Sequence, residues 1–114
     1  MIYPTEHEEQ CRVVEFCDWH KIPIFAIPNG ANKSPSQANK FKREGLRSGV
    51  PDLFIPAARK PWNGMFVEMK RVKGSKTSPE QAEWQKLLIG QGYHVITAYG
   101  ADQAILNINM YYNR

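Results

Sequence analysis

Asp52, Glu68 and Lys70 are the side chains of this chain whose types and spacing could do chemistry. Glu68 and Lys70 sit two residues apart in Met65-Phe66-Val67-Glu68-Met69-Lys70, a run that reads as a β-strand. Strand side chains alternate faces, so Phe66, Glu68 and Lys70 share one side and Met65, Val67 and Met69 the other. A carboxylate and an ammonium then stand ~6–7 Å apart along one face. Asp52 opens the preceding strand, and pairing of the two strands would bring it to the end that carries Glu68 and Lys70. Two converging carboxylates can hold a hard divalent cation such as Mg²⁺, which prefers oxygen ligands. Such a cation makes water a better nucleophile and offsets charge developing on a phosphate. Lys70 would orient that water or stabilise the transition state. Taken singly, Pro51-Asp52 is an ordinary turn and Glu68-x-Lys70 an ordinary solvated strand face. In this order on adjacent strands, followed by a capped helix, they point to a site.

The elements that must position these groups follow from local signals. Thr5 and Glu8 form a capping box, and the helix they start runs to about His20, with Pro23 breaking the pattern. Ile24-Phe25-Ala26-Ile27 predicts a short strand before the turn signal Pro28-Asn29-Gly30. Ser34-Pro35-Ser36-Gln37 starts a second helix that stops near Gly45, and Leu53-Phe54-Ile55 predicts the next strand. Asn63-Gly64 is a hairpin signal ahead of Met65–Lys70. Ser78-Pro79-Glu80-Gln81 repeats the helix-start chemistry for a helix ending by Gly90 or Gly92. Tyr93 to Tyr99 predicts the fourth strand, and Ala101, Ala104, Ile105, Ile108 and Tyr112 follow helical spacing. The order helix, strand, helix, strand, strand, helix, strand, helix describes an α/β fold with a mixed four-stranded sheet flanked by helices, in one domain over residues 1–114.

On the first helix, stepping about 100° per residue from Val13 puts Glu6 near the middle of the inward stripe, Glu9 slightly off it and Glu8 far from it. Glu6 is therefore favoured over Glu9 as a further acid of the site, against the alternative of a complement to the helix dipole.

Composition sets the outer limits. The fractions, 42% hydrophobic and 23% charged, are those of a globular chain. Fifteen Lys and Arg against eleven Asp and Glu give a formal charge of +4, which favours polyanionic partners. No apolar run approaches the ~18 residues of a membrane span, and Met1 to Glu6 lacks the basic and apolar segments of a secretory signal. Cys11 and Cys17 fit neither a disulfide framework nor a metal knuckle, and free thiols suggest a reducing cytosol. His7, His20 and His94 are scattered and show no zinc-binding spacing. Trp19, Trp62 and Trp84 read as core or rim aromatics rather than base-stacking platforms.

Pro51-Asp52, Glu68-Met69-Lys70 and Ser78-Pro79-Glu80-Gln81, behind Thr5-Glu6-His7-Glu8-Glu9-Gln10, resemble the VRR-NUC (virus-type replication-repair nuclease) branch of the PD-(D/E)xK superfamily. The resemblance covers nearly the whole chain and is most specific at Gly49-Val50-Pro51-Asp52-Leu53 and Glu68-Met69-Lys70 with the downstream Gln. It implies a restriction-endonuclease-like core. It implies that Asp52, Glu68 and the backbone carbonyl of Met69 bind metal, that Lys70 assists the water, and that a helix-one Glu, here Glu6, and Gln81 complete the site. Mg²⁺, with Mn²⁺ as a substitute, is the expected cofactor, and no organic cofactor is expected. The resemblance also implies a homodimer that cuts branched DNA such as Holliday junctions.

Basic residues flank the site in sequence: Lys33, Lys40, Lys42, Arg43 and Arg47 before Asp52, and Arg71, Lys73 and Lys76 after Lys70. They are candidate phosphate contacts, and Asn29-Gly30 a candidate backbone contact to substrate. No element reads as a recognition helix, so binding is expected to be structure-selective. On the last helix Leu106, Met110 and Tyr111 have no evident burial and are candidates for the dimer contact. Two other readings stay open: a catalytically silent DNA-binding or assembly subunit, and a restriction-type or single-strand nuclease on the same scaffold.

Overall fold

The computed structural model describes residues 2–28 and 34–114. Asn29, Gly30 and Lys33 lie outside the described residues. The elements are α1 (Glu6–Trp19), β1 (Phe25–Ala26), α2 (Pro35–Arg43), β2 (Leu53–Ile55), β3 (Met65–Lys70), α3 (Pro79–Gly90), β4 (His94–Tyr99) and α4 (Ala101–Tyr112). This is the expected order. The sheet runs β1-β2-β3-β4, antiparallel between the first two pairs and parallel between β3 and β4. A parallel neighbour needs a crossover, and α3 supplies it.

Local chemistry sets the helix limits. Thr5, Ser34 and Ser78 each cap a helix through a complete capping box with Glu8, Gln37 and Gln81. The stop of α1 is sharper than Pro23 alone requires. Lys21 adopts φ 57°, and the N–H groups of Lys21 and Ile22 donate to the carbonyls of Asp18 and Cys17, a Schellman closure made without glycine.

The Asn63-Gly64 signal needs correcting. β2 and β3 do pair antiparallel, with Ile55 opposite Met65, but the reversal lies at Arg59–Trp62, whose backbone groups bond each other both ways at 3.0 and 2.8 Å. Asn63 instead docks on the turn before β4: its N–H donates to Gly92 O and its side chain to Gln91 O. Gly64 is required for space, since a Cβ there would lie 2.8 Å from the Phe54 ring.

The core occupies one face of the sheet. Leu53, Ile55, Met65, Val67, Met69 and Ala98 are buried there against Val13 and Cys17 of α1 and Ala101, Ala104 and Ile108 of α4. The assignment of Tyr111 to an exposed dimer face is corrected: Tyr111 is buried, its hydroxyl donates to Ala57 O at 2.6 Å, and its ring stacks on His94. The α4 stripe includes Tyr111 because Trp62 and His94, brought from two other elements, provide its seat. Leu106 and Met110 remain exposed, at 60% and 64%. Trp62 packs against the core, whereas Trp19 is 84% exposed and is no core aromatic.

Candidate active site

β3 carries the central residues. Its even-numbered side chains point away from the core, yet Glu68 and Lys70 are almost fully buried. Two neighbours bury them: the turn before β2 and the start of α3. The β2–β3 register places Leu53 opposite Val67, so one further step sets Asp52 beside Glu68 on the same face. Asp52 is fixed there because its Oδ2 accepts the N–H of Met69 at 2.7 Å, while its carbonyl accepts the N–H of Ile27.

The start of α3 contributes through its cap. Gln81 Oε1 accepts the Ser78 N–H at 2.9 Å as the capping box requires, and the same oxygen accepts from Lys70 Nζ at 2.7 Å. Gln81 Nε2 donates to Glu68 Oε2 at 3.2 Å. One side chain thus ends a helix and aligns an ammonium with a carboxyl. Gly49 lets the chain before Asp52 approach this helix start. It adopts φ +91°, and a Cβ would lie 2.7 Å from the Glu80 carbonyl carbon and 2.9 Å from Gln81 N.

These placements load the site with negative charge in a dry setting. Glu68 is pushed up to about 9, first by burial, then by the charge of Asp52, against the opposing pull of Lys70. Glu6 is raised as well, by burial and by Asp52, with Lys70 and Arg71 opposing. Glu6 thus shares the field of Asp52, Glu68 and Lys70, although its side chain is exposed rather than directed into the core. Glu9 does not belong to the site. It is buried, its Oε2 accepts the Ala101 N–H at 2.7 Å and its Oε1 meets Arg12 at 3.3 Å. Because Gly100 has no side chain to cap α4, Glu9 caps it from α1.

The donor set fits a divalent cation. Glu68 Oε1 is buried and has no hydrogen-bond partner among the described residues, an arrangement that costs free energy unless something fills the coordination. Among the described residues no group of three or more His, Cys, Asp or Glu side chains could hold a metal, and Asp52 and Glu68 are the two carboxylates that the strand register sets side by side. Met69 is tied to that pair through its N–H.

The basic residues divide. Arg71 directly follows Lys70, and its charge reaches Glu6. Lys73 lies over the ring of Tyr3, and Lys76 is exposed nearby in sequence. Lys40, Lys42 and Arg43 occupy the last turn of α2, a helix that buries no residue, and Arg47 donates to Lys42 O and Leu46 O at its end. Two surface hollows flank this helix, one lined by Lys40 and Arg43 and another by Lys42 and Arg47, and neither is lined by Asp52 or Glu68.

The structural roles of Gly49 and Glu9 escaped the sequence reading. Gly49 could have been found as the glycine of the Gly49-Val50-Pro51-Asp52 turn, but only the tertiary contact with α3 explains it. Glu9 lay within about 40° of Val13 on the helical wheel, which already implied burial of an acid and hence a partner.

Comparison with known proteins agrees with this fold. A family model described as the VRR-NUC domain matches residues 2–102. A solved structure described as a VRR_NUC domain protein superposes with a TM-score of 0.80 at 31% identity, covering 98% of this chain and 91% of its own. No curated protein matches the chain. The family match spans the capped α1, the Asp52 turn, the Glu68-Met69-Lys70 strand and the Gln81 cap, so the chain belongs to the VRR-NUC domain family of nucleases.

Proposed function

We propose that this nuclease-family protein is a metal-dependent, structure-selective endonuclease that hydrolyses phosphodiester bonds in branched DNA such as Holliday junctions. The observation that carries the reading is the buried, unpartnered Glu68 Oε1 beside Asp52. Asp52 and Glu68, with the carbonyl of Met69, would hold Mg²⁺, and Mn²⁺ would substitute. When bound, the cation supplies Lewis acidity toward water and phosphate. Lys70, held by Gln81, presents its ammonium to the attacking water or to charge developing on the phosphate. Glu6 adds a carboxyl at the rim whose raised pKa suits it to exchange a proton. Arg71, Lys73 and Lys76, with Lys33, Lys40, Lys42, Arg43 and Arg47, would contact backbone phosphates. The exposed Leu106 and Met110 would contribute to a homodimer, whose two-fold symmetry suits paired cuts in a four-way junction.

The test is incubation of purified protein with plasmid and with a labelled four-way junction, in Mg²⁺ and in EDTA. Cleavage of the junction in Mg²⁺ alone is expected. Junction binding with no cleavage in either Mg²⁺ or Mn²⁺ would instead identify a silent DNA-binding subunit.

A further inference from the structure

The face of the sheet that carries Glu68 and Lys70 also carries a row of aromatic rings that the hydrolytic reading does not use. Phe25, Phe54 and Phe66 stand opposite one another across β1, β2 and β3. Their rings touch in sequence, Phe25 edge-on to Phe54 at 5.5 Å and Phe54 tilted on Phe66 at 4.4 Å, with Tyr93 edge-on to Phe66 at 5.2 Å. The room for Phe54 is reserved by Gly64, where any side chain would strike its ring. These rings do not belong to the dry core, which lies on the opposite face. At the outer end of the row Phe25 is 53% exposed on the edge strand.

The row lies one side-chain step before Glu68, about 7 Å along β3, and Phe25 is about 10 Å across the sheet from Phe66. A DNA strand that crosses this face with a phosphate at Glu68 and Lys70 would reach Phe25 within about two nucleotides. A half-exposed ring held edge-on against packed rings offers a stacking surface, and every nucleobase has a flat π-face that can use it. In continuous duplex those faces are already stacked on neighbouring bases. We propose that Phe25, backed by Phe54 and Phe66, is a binding platform for an unpaired nucleobase next to the cleaved bond. It selects DNA with unstacked nucleotides near a branch or flap. The platform rests on the reading of Asp52, Glu68 and Lys70 as the phosphate-cleaving site.

The test compares two labelled flap duplexes that differ only in the flap, one carrying thymidines and the other abasic residues with the same phosphates. Binding is measured in EDTA. The native protein is expected to hold the thymidine flap roughly tenfold more tightly than the abasic flap. Phe25→Ala is expected to erase that ratio, Phe25→Tyr to keep it, and Phe25→Leu, which retains apolar area without a π-face, to lose most of it. Equal affinity of the native protein for both flaps, equal weakening of both by Phe25→Ala, or full recovery by Phe25→Leu would overturn the platform. Loss of self-association in Phe25→Ala, with the flap ratio intact, would mark the ring as a protein contact instead. Cleavage in Mg²⁺ is scored separately on the same flaps. Its absence with the base-dependent ratio intact defeats the nuclease reading and not the platform, and cleavage that ignores the bases does the reverse.

Discussion

The two faces of the sheet are built from the same strands and differ in kind. On one face Leu53, Ile55, Met65, Val67, Met69 and Ala98 are sealed beneath α1 and α4. On the other, Glu68 and Lys70 bond Gln81 of α3, Thr97 accepts from Gln85 of the same helix, and the aromatic row runs out to an exposed Phe25. The first face contributes through removal of apolar surface from water. The second buries an acid and an ammonium whose polar atoms are only partly matched, with Glu68 Oε1 left over. A period of two lets one strand do both tasks, because adjacent residues report to different solvents. Stability and chemistry are therefore separable here by a single step along β3.

Four changes can break or sharpen that separation. The largest effect is expected on the chemical face. Asp52→Ala or Lys70→Ala should lower Mg²⁺-dependent cleavage by about 10²–10³-fold or more while junction binding persists, read by single-turnover cleavage alongside a binding assay. Lost binding with cleavage per bound complex intact would contradict those roles. On the dry face, Leu53→Ala, one residue from Asp52, should cost about 2–5 kcal/mol of stability in denaturant unfolding and leave the activity of the folded fraction near native. An activity loss far beyond the unfolded fraction would show that the faces are coupled.

The third is a pH effect. An unfolded Glu68 releases its proton near the ordinary carboxyl value of 4.5, while the folded protein holds it up to about 9. Between those limits the folded state binds more protons, so the stability of metal-free protein falls as pH rises and levels off above the upper limit. Glu68→Gln should remove this slope and raise the melting temperature at neutral pH by several degrees, measured in EDTA from pH 5 to 9. A native protein with a flat profile would count against the buried acid. The smallest effect separates two acids one turn apart on α1. Glu9→Ala should cost about 1–2 kcal/mol by uncapping α4, whereas Glu6→Ala should leave stability within about 0.5 kcal/mol and lower cleavage. Equal stability losses in the two variants would erase the distinction drawn from their contacts.

The Glu6–Glu9 pair also marks how far the sequence is legible. Helical phase placed both acids inward and favoured Glu6, but phase cannot say what waits opposite each one. Gly100 supplies an α4 start without a capping side chain, and that vacancy comes from the far end of the chain. The Tyr111 correction has the same origin: α4 periodicity left it outside the stripe, and Trp62 and His94 gave it a seat. The reversal at Arg59–Trp62 shows that a turn dipeptide competes with its surroundings, since Asn63 is held by the α3–β4 turn instead.

What the sequence determined by itself was local or periodic: the capping boxes at Thr5, Ser34 and Ser78, the alternation that put Glu68 with Lys70, and the order of the elements. Those depend on neighbours a few residues away, whose geometry the backbone fixes. Only the tertiary structure decided that Asp52 stands against Glu68, that the Gln81 cap grips Lys70, and that one Glu68 oxygen lacks a partner. Desolvation and the pairing of buried polar atoms are sums over everything packed around a group, and most of that packing comes from distant parts of the chain.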